Sequence, residues 1–139
     1  MLLGTATDRP YAPPPSAQHL FGLGVHHAVR ARFCIERGRW WQAEYWISAA
    51  RDQALTLGCR QQGLETGHGR GFDRLSAALL GALEPALVRS LDRAELLRAL
   101  NVAVDVLLRE AAEVREMVAK LERQLRDLTA PTFDIPSRP

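Results

Sequence analysis

This 139-residue chain is poor in several things, and each shortage removes a class of protein. It has a single lysine, Lys120, so its basic charge is carried almost wholly by arginine. It has two cysteines, Cys34 and Cys59, far apart and with no Cys-x-x-Cys spacing, which excludes a disulfide scaffold and a zinc ribbon. No apolar run approaches the ~20 residues needed to cross a bilayer. The first ten residues lack the basic and then apolar pattern of a secretory leader, so a cytoplasmic protein with two buried, reduced thiols is expected. Neither sign of charge is in clear excess: 18 Lys+Arg against 16 Asp+Glu leave +2. That balance gives no argument for a DNA or membrane partner, and neither is expected. Strand-like alternation and internal repeats are also missing.

What is present is helical periodicity. Hydrophobic residues make up 47% of the chain and charged residues 24%, ordinary for one soluble domain. Residues 1–16 contain Pro10, Pro13, Pro14 and Pro15 and read as an extended arm or linker. Ser16 can cap a first helix over 17–37, whose apolar face carries Leu20, Leu23, His27, Ala31 and Cys34. Gly38 fits its C-cap. A second helix over 40–62 carries two apolar stripes, one from Trp40 through Ile47 to Leu57 and one from Trp41 through Tyr45 to Cys59. All three tryptophans fall in Trp40–Trp46. At ~100° per residue they cannot all face inward, so at least one is expected at the surface.

A glycine-rich loop, 63–74, follows, then a short helix near 74–83 and a turn from Pro85. Asp92 and Glu95 have capping-box spacing. Beyond them Leu97, Leu100, Val104, Leu107, Ala111, Val114, Val118, Leu121, Leu125 and Leu128 alternate steps of three and four. That is an unbroken 3.5-residue repeat, which predicts one long helix over 93–128, ~50 Å in length. Such a helix would overhang its neighbours, and its seam of Val114, Val118, Leu121 and Leu125 would need cover, with a homodimer the expected source. The fold expected is all-α, an up-and-down four-helix bundle over 17–128 with a long C-terminal helix and a flexible tail, 129–139.

No complete catalytic motif is present. His26 and His27 point ~100° apart on one helix, and His19 and His68 complete no metal-ligand spacing, so no metal is expected. Thr66 to Asp73 can cradle an anion, with Arg70 as the fork. It lacks the Lys-Ser/Thr of a phosphate-binding loop, and a helix–helix connection is the plainer reading. Glu44 and Arg51 on the second helix suggest either a general base or an interhelical ion pair. Glu36, near the first turn, reads by default as solvated.

The strings Ile35-Glu36-Arg37-Gly38-Arg39-Trp40-Trp41-Gln42-Ala43-Glu44, Ala50-Arg51-Asp52-Gln53-Ala54-Leu55, Gly71-Phe72-Asp73-Arg74-Leu75 and Ser90-Leu91-Asp92-Arg93-Ala94-Glu95-Leu96 lie within roughly 100 residues of patterned helix and loop. Through them the chain resembles the C-terminal helical, substrate-binding domain of kanamycin nucleotidyltransferase-like proteins, a group that merges with HEPN-type domains. In that family the catalytic domain precedes this one and carries a Gly-Ser pair and an Asp-x-Asp that hold magnesium and nucleotide. Neither motif is present here. The resemblance therefore implies a non-catalytic subunit that binds a small substrate, a nucleotidyltransferase catalytic partner, or both, with no cofactor of its own. It places Trp41, Glu44, Tyr45, Arg51, His68, Arg70 and Asp73 around a pocket, with Glu36 and Glu44 the carboxylates in the right neighbourhood for a base. Two alternatives stand beside it: a HEPN-like ribonuclease toxin of a toxin–antitoxin pair, and a purely structural helical dimer.

Overall fold

The computed structural model describes residues 15–111 and 115–131, with the backbone alone for 115–118 and 120. The described residues form five α-helices: α1 Ala17–Glu36, α2 Trp40–Gln61, α3 Ala77–Leu83, α4 Arg93–Glu110 and α5 Arg115–Thr129. Two 3-10 turns, Phe72–Arg74 and Glu84–Ala86, flank α3. No strand occurs among them, as the all-helical periodicity predicts. The Pro-rich segment before Pro15 and the tail after Pro131 lie outside the described residues.

Local signals set the helix ends. Ser16 Oγ accepts from the His19 N–H at 3.0 Å, closing the first turn of α1. Gly38, at φ 71°, lets the chain reverse: its N–H donates to Ile35 O at 3.1 Å and the next N–H, of Arg39, to Cys34 O at 2.9 Å. Asp92 Oδ1 accepts from the Glu95 N–H at 3.0 Å, the first half of the expected capping box. The second half is redirected. Glu95 accepts from the Arg89 N–H at 2.9 Å and takes both arms of the Arg98 guanidinium, at 2.7 and 2.6 Å. Arg98 also donates to Pro85 O at 2.7 Å, so the pair ties the segment entering α4 onto the helix itself. The Arg98 hydrogen bonds, followed by that of the Arg89 N–H, hold the Glu95 carboxyl down at about 2.

The core is aliphatic and continuous. Leu20, Phe21, Ala28 and Ile35 of α1 meet Ile47, Ala54 and Leu57 of α2 and Leu96, Leu100, Val104 and Leu107 of α4, all buried. Cys34 and Cys59 are buried free thiols.

The helix order is not up-and-down. The short Arg37–Arg39 turn makes α1 and α2 antiparallel neighbours. Glu36 at the end of α1 pairs with Arg93 at the start of α4, while a Cβ on Gly24 would meet Leu107 Cδ2 at 2.7 Å, so α1 and α4 are antiparallel too. Hence α2 and α4 run in the same direction. At the far end Gln61 Nε2 of α2 donates to the Glu110 carbonyl that ends α4. The segment 62–92, with α3, is a crossover that returns the chain to the end from which α2 began.

The single long C-terminal helix is corrected as well. Helix α4 stops at Glu110, with Ala111 as its C-cap at φ −92°, ψ 36°. Helix α5 then packs antiparallel on α4, where Arg126 pairs with Asp105. In one straight helix these two residues would be ~31 Å apart. The described part of the heptad seam consequently turns inward. Leu125 and Leu128 are buried at 1% and 6% exposure, Leu121 is half-buried, and the three line one hollow with Val25, Val29 and Phe33 of α1. Of the other seam residues, Val114 lies outside the described residues, as does the Val118 side chain.

Arg32 holds this return in place. It is fully buried, and Nη1 donates to Leu128 O at 2.6 Å and Ala130 O at 2.7 Å, carbonyls that the C-terminus of α5 leaves unsatisfied. Nη2 pairs with Glu36 at 2.8 Å, and Glu36 also receives Arg93 at 2.8 Å. Glu36 is thus not the solvated carboxylate the sequence suggests but a bridge between two arginines. Burial lowers the Arg32 pKa, with Glu36 opposing and Arg93 adding to the fall.

The Arg32→Met variant, which keeps the stem and removes the fork, is expected to lose about 3 kcal/mol. That corresponds to a fall of roughly 10 °C in Tm by circular dichroism. Amide protection in α5 should be the first to go, and an unchanged Tm would contradict this role. A second expectation concerns acid. Because the Glu95 carboxyl sits below its ordinary range, its contribution is present at neutral pH and is lost as pH falls from that range towards about 2. In Glu95→Gln that part of the acid dependence of Tm should disappear.

Candidate functional site

A hollow of about 440 Å³, within the range of small-ligand pockets, lies where three segments meet. The start of α1 supplies His19, Leu20 and Leu23; α2 supplies Asp52, Gln53 and Thr56; the glycine-rich loop supplies Thr66, His68, Gly69 and Phe72.

The α2 residues follow from helix geometry. Asp52 and Thr56 are one turn apart and share a face. Thr56 Oγ1 donates to Asp52 O at 2.7 Å. Gln53 lies beside them, and its side-chain oxygen is buried with no hydrogen-bond partner. An unsatisfied buried acceptor at the wall of a cleft is suited to a donor brought by a ligand. Burial raises the Asp52 pKa, and Arg51, 3.9 Å away, opposes the rise.

The loop gets its shape from tight turns rather than from side-chain packing. Gly63, at φ 72°, ends α2, and the Leu64 N–H donates to Cys59 O at 2.8 Å. His68 is left-handed at φ 56°, the one non-glycine residue with positive φ among those described. A histidine pays about 1–2 kcal/mol for that conformation where glycine would not. Gly71 is fixed by crowding: a Cβ there would sit 2.5 Å from Glu65 O and 3.1 Å from Cys59 Sγ. The base of the loop is closed by Gln62 Oε1, which accepts from the Ser76 N–H at 3.2 Å. Arg60 Nε donates to Pro15 O at 3.1 Å, drawing the start of α1 against the same end.

Of the residues expected around a pocket, only His68 lines this cleft, with Arg51 beside its Asp52 wall. Arg70 is turned to Glu65 at 2.8 Å on the surface, and Asp73 is exposed in the 3-10 turn. Trp41 and Tyr45, 79% and 62% exposed, stand near the start of α2. Asp52 is eleven residues beyond Trp41 and seven beyond Tyr45, ~16 and ~10 Å along the axis, and neither aromatic lines the cleft. Trp41 satisfies the angular argument that one tryptophan must face out. Glu44 accepts from Ser48 Oγ at 2.7 Å within its own helix, in place of an interhelical ion pair. Glu36 belongs to the arginine bridge. His27 is half-buried against Trp46, with ring centroids 5.2 Å apart, and burial, then the charge of His26, lowers its pKa.

Sequence reading missed His19 and Gln53 as wall residues. The signal for Gln53 was its place between Asp52 and Ala54 on a helix with two apolar stripes. No signal brought His19 to His68. Among the described residues no group of three His, Cys, Asp or Glu side chains can hold a metal, and no helix is long and apolar enough to cross a membrane.

The fold and cleft define a helical bundle with a ligand-sized hollow of mixed polarity among its described residues. Comparison with protein-family models, with curated proteins and with solved structures finds no match.

Asp52→Asn tests the electrostatics of this wall. A carboxyl raised by burial favours its neutral form, so its stabilising effect is full below the ordinary aspartate range and is lost as pH rises through the raised value. The Tm difference between variant and wild type should therefore move in favour of Asp52→Asn as pH rises from acid to neutral. A difference independent of pH would show that the carboxyl is not desolvated.

Proposed function

We propose that this chain is a non-catalytic binding module, with the cleft between α1, α2 and the glycine-rich loop as its ligand site. In the setting implied by the family resemblance, it is the substrate- or partner-binding component of a nucleotidyltransferase system. The observation that carries the reading is the convergence of Gln53, its buried oxygen unpartnered, with Asp52, Thr56, His19 and His68 around one hollow. These groups offer hydrogen-bond acceptors, donors and one carboxylate, with Leu20, Leu23 and Phe72 as apolar cover. That mixture suits a small polyhydroxylated or amine-bearing molecule. The left-handed His68 supports the same reading, because backbone strain kept at a cleft points to use of the side chain it presents. Magnesium and nucleotide chemistry would lie with a catalytic partner.

One observation favours a second reading. His19, His68 and Asp52 line the same cleft, and two imidazoles with a carboxyl are the side chains of acid–base RNA cleavage. A ribonuclease is the enzyme form of that chemistry, although the arginine that a HEPN-like site pairs with histidine is not among the residues lining the cleft.

The experiment is a thermal-shift and calorimetric titration of the chain with aminoglycosides and nucleotides, in parallel with an RNA cleavage assay. A ligand at a hundred times its Kd should stabilise the wild type by ~2.7 kcal/mol. His68→Gly should match or exceed the wild-type Tm, because the left-handed strain is relieved, yet lose most of the shift. Flat titrations across the panel would contradict the binding module. Cleavage by the wild type that His68→Gly abolishes would replace it with the ribonuclease.

A further inference from the structure

A second hollow, separate from the cleft, lies at the turn joining α1 to α2. Its volume is about 230 Å³, and it is lined by Arg30, Phe33, Cys34, Arg37, Arg39 and Gln42. Three of these six side chains are guanidiniums. No described carboxylate forms an ion pair with Arg30, Arg37 or Arg39. The nearby Glu36 is taken by Arg32 and Arg93, and Glu44 accepts from Ser48.

Two of the arginines are positioned by aromatic rings rather than by acids. The Arg30 guanidinium lies 4.9 Å from the Trp46 ring centroid, and that of Arg37 lies 5.4 Å from the Phe33 centroid. Stacking holds the plane of a guanidinium and leaves its edge pointing outward to donate, although Arg37 Nη1 already reaches Phe33 O at 3.5 Å. Arg39, the N-cap residue of α2, supplies no side-chain acceptor to that helix end. The first backbone N–H groups of α2 therefore add positive potential on the same side. Gln42 contributes an amide. The Cys34 thiol at the wall is kept neutral, since burial raises its pKa against the pull of all three arginines. It does not compete for them as an anion.

We propose that this hollow binds the phosphoryl group of a small phosphate ester, with Arg30, Arg37 and Arg39 as forked donors and Gln42 completing the ring. Three guanidiniums with no counter-carboxylate suit a dianion with three terminal oxygens better than a single carboxylate. The +2 net charge of the whole chain averages over this one-sided cluster.

The test is calorimetry on the full chain with inorganic phosphate, a hexose phosphate and a nucleoside monophosphate. Sulfate and chloride serve as controls, and tryptophan fluorescence is followed throughout. Saturable one-to-one binding is expected in at least one phosphate arm, and a tighter ester arm identifies the organic group carried. Fluorescence should change as a phosphoryl group docks on the guanidinium stacked on Trp46. Arg37→Gln and Arg39→Gln should each weaken binding by about tenfold, Arg37→Lys by less. Arg109→Gln, which removes the same charge elsewhere on the surface, should change nothing. Arg37 and Arg39 are exposed, and unchanged far-ultraviolet circular dichroism verifies the fold of both variants; Gln42→Ala gives an independent reading. No saturable binding in any phosphate arm overturns the proposal. So does equal affinity for chloride, or an equal loss in Arg109→Gln.

Discussion

The structure depends on one buried arginine. Arg32 sits fully inside a core that is otherwise almost wholly apolar. A guanidinium is tolerated there because Nη1 meets two carbonyls at the end of α5 and Nη2 meets the carboxylate of Glu36. Those partners come from different parts of the chain. Through them the end of α1 is joined to the end of α5 and, by way of Glu36 and Arg93, to the start of α4. The apolar contacts of α5 give the return its area, and Arg32 fixes its register. If α5 slid by one turn, Leu128 O and Ala130 O would leave the fork, and Glu36 alone would be left to meet the charge.

That constraint also explains where binding surfaces can exist. With α5 folded back on α1 and α4, one side of the bundle is covered. The parallel course of α2 and α4 makes segment 62–92 cross the molecule, and its first part, the glycine-rich loop, is laid against the start of α1. The cleft of Asp52, Gln53 and His68 is the gap beneath that loop. The arginine hollow lies at the other end of α2, where the helix turn brings Arg37 and Arg39 beside Arg30. Each surface follows from a connection, and neither lies in the packed middle of the helices.

Much of the fold was legible because helix periodicity and caps are local. Ser16, Gly38, Gly63 and Asp92 mark ends found in the structure. The long C-terminal helix was misread for a physical reason. Residues 108–118 contain no glycine or proline, and the 3.5-residue repeat keeps its phase across the break. What ends α4 is tertiary: Gln61 takes the Glu110 carbonyl, and α1 offers a better cover for Leu125 and Leu128 than solvent does. The helix order was misread because loop length alone does not show that 62–92 returns to its starting end. At the cleft, His68 could be named from its glycine-rich surroundings, whereas its companions Gln53 and His19 are joined to it only by folding. Trp41, Tyr45 and Glu44 were grouped with the loop by sequence pattern, but a long straight helix keeps them apart.

The folded-back chain is the central claim about the fold, so the position of α5 is the one to test first. Spin labels introduced by Asn101→Cys and Arg123→Cys, both exposed positions, read it directly by pulsed dipolar spectroscopy. With α5 antiparallel on α4 the labels should lie within about 20 Å, label arms included, since antiparallel helices pack 8–10 Å apart. A single distribution near ~33 Å, the length of 22 residues of uninterrupted helix, would contradict it.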